Sequence, residues 1–194
     1  MPGGRPKEFD ETEVLERAMQ HFWSRGYEGA ALADLLDAMG ISRQSLYDTF
    51  GNKRQLFIRA IEHYRAVYLS RALALLRADG SQVENVKSTM RFFERLASDR
   101  RCRGCLVANA LVEVAPHDEE IATLLEETLD LLEAEVRKAL ERARSRGELG
   151  KGKSPRVLSR ALTNAMIGLA VSGKLRRGPA TFRDIYAGTL AVLD

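Results

Sequence analysis

Proline is scarce in this chain, with five among 194 residues. Long stretches are therefore free of the residue that breaks helices. Cysteine is scarcer, and two residues do not make a disulfide framework. No apolar run reaches the roughly 20 residues that a transmembrane helix needs. The opening MPGGRPKEFD has no apolar core of the kind a secretory signal carries. These absences lead to the expectation of a soluble, cytoplasmic protein with no membrane partner. His21, His63 and His117 lie far apart with no ligand spacing, so no metal site is expected. There is no clustered His/Asp/Ser set and no Gly-rich phosphate loop, which argues against an enzyme and gives no cofactor to expect. No strand alternation and no internal repeat is visible.

What is present is helical periodicity, on a chain that is 45% hydrophobic. That is enough to bury one large core or two small ones. The net charge of +3 and pI near 9.0 hint at an acidic partner. The distribution weakens that hint, because residues 1–54 carry seven basic and nine acidic groups. Any argument for nucleic acid must rest on where the charges sit.

Val14, Ala18 and Phe22, with Leu15, Met19 and Trp23, form one apolar face of a helix over about 10–25. A short second helix follows, with Leu32, Leu35, Leu36 and Met39 on one side and Gly40 as its stop. Ser42 is placed to cap a third, whose apolar side is Leu46, Tyr47 and Phe50. Two short helices joined around a glycine are the signature of a helix-turn-helix. The exposed side of the third helix offers Ser42, Arg43, Gln44, Ser45 and Asp48. Arg can donate twice to guanine, Gln can pair with adenine, and both sit at the helix N-terminus that reaches base edges. Ser42 or a backbone amide there can take a phosphate.

Gly51 then stops the third helix, and Asn52 can cap a fourth, expected to run to about 78. This restart places Lys53 on a first turn, where a cation opposes the helix dipole. An anion touching both the amides and the ammonium offsets that cost. Tyr47 is expected to rest its ring on the core and aim its hydroxyl at a phosphate. Further helices are expected over about 82–99, 102–114, 118–146, 154–174 and 181–193.

The order Gly40-Ile41-Ser42, then Tyr47-x-x-Phe50-x-x-Lys53-x-x-Leu56, resembles the N-terminal domain of the TetR family of transcriptional repressors. The run Gly3-Gly4-Arg5-Pro6-Lys7 resembles the basic arm that many of them carry. The resemblance implies an all-α fold with a three-helix helix-turn-helix domain over 1–52. A long fourth helix joins it to a helical ligand-binding and dimerisation domain over 53–194. It implies a homodimer that binds a palindromic double-stranded operator and releases it to a small-molecule effector. Tyr47 and Lys53 match phosphate contacts, Arg43 and Gln44 match base-reading positions, and Arg5 and Lys7 match the arm. Two departures stand out. Arg43-Gln44 replaces the more usual Lys-Gly, and Ala30-Ala31 stands where a Ser or Thr cap usually opens the second helix.

The segment 99–120, DRRCRGCLVANALVEVAPHDEE, resembles a subgroup sharing a Gly-Cys-Leu run, some of whose members sense electrophiles or oxidants. Cys102 and Cys105 lie among Arg100, Arg101 and Arg103, and cationic neighbours favour the reactive thiolate. The bland alternative is a small buried residue at Cys105 and an ordinary surface thiol at Cys102. From helix faces, Tyr64, Tyr68, Phe92, Phe93, Cys105, Asn109, Glu113 and Met166 are candidate effector contacts. The same spacing also fits ordinary core. Small residues Ala161, Ala165, Gly168 and Ser172 line one stripe of the penultimate helix, flanked by Leu158, Leu162, Met166 and Leu169. With Ile185 and Leu190 of the last helix they form the candidate dimer interface; packing within one chain is the competing account. Two rival functions remain, a thiol-based sensor acting through Cys105 and a helical protein-binding module that never meets DNA.

Overall fold

The computed structural model describes residues 9–98, 103–175 and 178–193. Every regular element among them is helical. The first helix, α1 (Glu11–Arg25), begins where Asp10 accepts from Thr12 N at 2.7 Å and Glu13 N at 3.3 Å. Both apolar rows read from the sequence, Val14–Ala18–Phe22 and Leu15–Met19–Trp23, are buried. Next come α2 (Leu32–Met39), α3 (Arg43–Phe50) and α4 (Lys53–Tyr64). Ala31 offers α2 no side-chain cap, as its methyl group dictates. Leu35, Met39, Leu46, Phe50, Leu56, Phe57 and Ile61 close the core under α1. Phe22 meets Phe57 edge-on at 4.9 Å.

The chain divides by its contacts into two compact units, Met1–Tyr64 and Arg65–Asp194. The boundary read from sequence at 52/53 falls one helix earlier. The inner face of α4 (Leu56, Phe57, Ala60, Ile61, Tyr64) is buried, and α4 packs along α1. The single long helix expected to about 78 is a succession. After α4 comes a π-helical turn, Arg65–Leu69, and then α5 (Ser70–Leu76). A π turn carries one extra residue per hydrogen-bonded ring, and none of these five residues is buried.

In the second unit α6 (Gln82–Ser98), α8 (Glu119–Ser145), α9 (Pro155–Ser172) and α10 (Pro179–Leu190) enclose the core, with α7 (Leu106–Glu113) beside α8 and α9. The core holds Leu76, Val86, Met90, Val136, Leu140, Leu162, Met166, Leu169 and Phe182. Several polar groups around it pair at helix ends. Glu148 accepts from Ser81 Oγ at 2.9 Å, Gln82 N at 2.7 Å and Val83 N at 3.2 Å, closing the N-terminus of α6. Those bonds, the serine's foremost, hold its carboxyl below the usual range. Arg142 donates to Gln82 Oε1 at 2.7 Å and to Leu76 O at 3.0 Å, closing the C-terminus of α5. Glu135 is buried and accepts from Arg77 and Lys138, each at 2.9 Å. The Arg77 bond, then the Lys138 bond, lowers its pKa to about 2.

Several expectations change here. Leu162, Leu169 and Leu190 are buried in the unit's own core, which leaves them no surface for a partner, and Leu158 and Ile185 are half-buried against it. Met166 is buried in the same core. Tyr64 is buried in the first unit, its ring 5.1 Å from that of Trp23. The rotation of α9 is the physical reason for the burial of its leucines. Leu162, Met166 and Leu169 face inward, while Ala161 and Gly168 face out.

Candidate nucleic-acid interface

The hairpin of α2 and α3 turns on Gly40, at φ 70° and ψ 32°, a left-handed conformation that a side chain resists. Its amide closes α2 on Leu36 O at 2.9 Å, and Arg17 Nη1 from α1 donates to Met39 O at 3.3 Å. Ser42 then caps α3 as its position predicts, accepting from Ser45 N at 3.1 Å. The two serine hydroxyls are 2.9 Å apart. Arg43 and Gln44 stand exposed on the first turn. Arg43 makes no hydrogen bond or ion pair among the described residues. Gln44 Nε2 donates to Asp48 Oδ1 at 2.8 Å, a bond one helical turn long. Leu46 and Phe50 alone fill the apolar side of α3. Tyr47 is 47% exposed.

The junction of α3 and α4 is tightly specified. Gly51 sits at φ 78° and ψ −120°, and a β-carbon there would lie 1.7 Å from Gln55 Oε1. Asn52 Oδ1 accepts from Gln55 N at 2.9 Å, and Gln55 Oε1 accepts from Asn52 N at 3.1 Å. This is a reciprocal capping box, so the helix restarts with its first amides ordered. The Asn52 cap is expected from the sequence, and the returning bond of Gln55 adds to it, with the Asn-x-x-Gln spacing as its local signal. Lys53, half-buried, projects from this first turn, and its ammonium lies 4.6 Å from the centre of the Tyr27 ring. Arg59 fastens the other end of α3. It donates to Thr49 O at 3.1 Å, stacks over Phe50 at 4.8 Å and lies 3.7 Å from Glu11.

Charge placement answers the question that net charge left open. Asp10 is engaged as a cap, Glu11 with Arg59, Glu13 with Arg17, and Glu16 with His63 at 2.8 Å. All four carboxylates belong to α1 or its cap. The exposed face of α3 carries Arg43, Gln44, Tyr47 and one carboxylate, Asp48, itself tied to Gln44. That set can donate to base edges and phosphates, and two capped helix N-termini add oriented amides. Arg5 and Lys7 lie outside the described residues.

The expected effector residues fall in several places. Tyr68, Phe92, Phe93, Cys105, Asn109 and Glu113 are half-buried. Phe92 and Phe93 meet edge-on at 5.5 Å. Asn109 donates to Arg103 O at 3.0 Å and accepts from Lys174 Nζ at 3.1 Å. Cys105 stands at the N-cap of α7, and Cys102 lies outside the described residues. A cavity of about 520 Å³ lies elsewhere, on the side of α7, α8 and α9. It is lined by Leu111, Leu129, Asp130, Arg160 and Ile167 among others, and by none of the eight expected effector contacts. Among the described residues no group of His, Cys, Asp and Glu could hold a metal ion, and no helix is long and apolar enough to cross a membrane.

Comparison with known proteins agrees with this geometry. Residues 14–60 match the family described as bacterial regulatory proteins of the tetR family, and residues 83–188 match the tetracyclin repressor-like C-terminal domain. An uncharacterised HTH-type transcriptional regulator of Bacillus subtilis, YezE, is 36% identical over 98% of this chain and all of its own length. The Escherichia coli HTH-type transcriptional repressor ComR is 29% identical, covering 88% of this chain and 82% of its own. Among solved structures, a cysteine-substituted form of the TetR family regulator CifR, in complex with a 26-base-pair operator duplex, superposes with a TM-score of 0.88. It is 32% identical, covering 98% of this chain and all of the CifR chain. With an exposed, serine-capped α3 and family matches over both units, the chain belongs to the TetR family of bacterial transcriptional regulators.

Proposed function

We propose that the chain is a homodimeric repressor, not an enzyme, that reads a palindromic operator in the cytoplasm and releases it when a small molecule enters the second unit. The observation that carries this reading is the exposed first turn of α3, where Arg43 has no partner among the described residues to give up before it meets a base. Arg43 and Gln44 read base edges, while Ser42, Ser45, Tyr47 and Lys53 hold phosphates, with Arg5 and Lys7 as a basic arm. Gln44 must exchange Asp48 for a base. The relatives named repressor and the operator complex of CifR support the same reading.

A dimer is required because two copies of α3 must meet two half-sites about one turn of DNA apart. Support comes from the outer edge of α9. Val157, Ala161, Asn164, Gly168 and Val171 recur at alternating steps of four and three, all exposed, with Val157 at 58%. That spacing is a seam for a second helix. Of the stripe read from the sequence, Ala161 and Gly168 belong to it, with Ala165 and Ser172 at its margin. Effector contacts fall to Tyr68, Phe92, Phe93, Asn109 and Glu113, and the effector acts by its differential affinity for two spacings of the readers.

The test is selection of duplexes from a random-sequence pool, then a screen for compounds that release the winner. Recovery of a palindrome bound by a dimer is the expected result. Absence of salt-dependent binding to any duplex overturns the reading in favour of a protein-binding module. A second reading rests on Cys105. A thiol at a helix N-cap is favoured as thiolate, which suits an oxidant or electrophile sensor in the subgroup marked by Gly104-Cys105-Leu106. Loss of oxidant-induced release in Cys105→Ser selects it; unchanged release rejects it.

A further inference from the structure

We infer that Tyr27, in the turn between α1 and α2, is a positioning residue for DNA binding, whose ring face holds the Lys53 ammonium ready for a backbone phosphate. The inference rests on the reading of Lys53 as a phosphate contact. Lys53 occupies the first turn of α4, where the helix dipole repels its charge. A free lysine there samples many rotamers and loses that freedom on binding. The Tyr27 ring supplies a partner that is negative on its face, 4.6 Å from the nitrogen.

The ring is itself fixed. Phe57 lies 4.8 Å away, tilted at 47°, and Phe22 lies 6.2 Å away, nearly parallel at 20°. Phe22 is fully buried and Phe57 is 1% exposed, so the anchors do not move with solvent. Tyr27 is half-buried, with core aromatics and an ammonium against it. A cation over a ring keeps its hydrogen-bond donors available, whereas a carboxylate partner would occupy them and cancel the charge that a phosphate needs. Lys53 has no ion pair among the described residues, although Glu13 and Glu11 of α1 both find arginine partners.

The experiment compares Tyr27→Leu, Tyr27→Phe, Lys53→Met and the Tyr27→Leu/Lys53→Met double variant of the full chain. Each is titrated with a labelled duplex recovered from the random-pool selection, over a range of salt, after a thermal melt confirms folding. Lys53→Met is expected to lower the salt slope by about one per protomer. Tyr27→Leu is expected to weaken binding about two- to five-fold per half-site, Tyr27→Phe to restore it, and the double variant to add nothing beyond Lys53→Met. In the free protein the ε-methylene protons of Lys53 are expected to be shifted upfield by the ring in wild type and Tyr27→Phe, and to return to ordinary values in Tyr27→Leu. Additive losses, or an unshifted Lys53 methylene in wild type, overturn the role of Tyr27. A salt slope untouched by Lys53→Met overturns the phosphate contact and this inference with it. Should Tyr27→Leu fail to fold, the wild-type Lys53 shift and its persistence in Tyr27→Phe decide the matter.

Discussion

Arg43 and Glu135 show two opposite uses of a charge. Arg43 is exposed at the head of α3 with no partner among the described residues, so its donors are free for a guanine edge. Arg43→Ala should cost about 1–3 kcal/mol and relax preference at one base position. Binding titrations against single-base variants of the selected duplex measure this. Equal weakening on every sequence means that Arg43 contacts only the backbone. Glu135 is buried and engaged twice, and its pKa falls to about 2, the Arg77 bond being the larger cause. Because the folded pKa lies below the usual 4.5, the pair stabilises the protein above about pH 4.5. That stability is lost as pH falls through the window from 4.5 toward 2. Arg77 and Lys138 are each more than half exposed, so solvent screens the interaction. Glu135→Gln should therefore cost about 2 kcal/mol at neutral pH and flatten the acid limb of a stability–pH curve. An unchanged acid limb would sink that account.

At the scale of elements, the helix ends were the most legible feature. Asp10, Ser42, Asp118 and Ser154 each accept a backbone amide at the start of a helix, because a short oxygen-bearing side chain can turn back on its own chain. The missing cap was equally legible, since Ala31 has nothing to offer α2. Ala31→Ser should stabilise the first unit by about 1 kcal/mol, raising its melting temperature without changing operator preference. A neutral or lower melting temperature would show that the backbone before α2 cannot admit the capping rotamer. Two ends were not legible. Glu148 closes α6 and Arg142 closes α5 from more than 60 residues away. The π turn at Arg65–Leu69 was also missed, because hydrophobic spacing does not reveal one extra residue inside a helix.

For the whole molecule, the proposed dimer turns on which face of α9 is left open to a second copy. Ala161 and Leu162 are adjacent in sequence and opposite in consequence. Ala161 is exposed on the proposed seam, and Leu162 is fully buried in the unit's own core. Ala161→Arg should therefore give a folded monomer with weakened operator binding, since a single α3 reads only a half-site. Leu162→Ala should cost about 2–5 kcal/mol of stability, the mark of a cavity in a core. Sedimentation beside thermal melting separates the two. A dimer that survives Ala161→Arg intact would move the interface off α9.

The sequence alone determined the helical class, the helix-turn-helix and the junction of α3 and α4. These depend on residues within a few positions of one another, such as Gly40, Ser42, Gly51 and Asn52, whose backbone preferences act locally. It also determined that Arg43 and Gln44 stand outward, because Leu46 and Phe50 claim the other side of a 3.6-residue period. Only the tertiary structure decided that Tyr27 underlies Lys53, that Arg59 fastens α3, and that the leucines of α9 face their own core. Those outcomes depend on which helix lies against which, and a periodic apolar stripe fits a neighbour in the same chain as well as one in another.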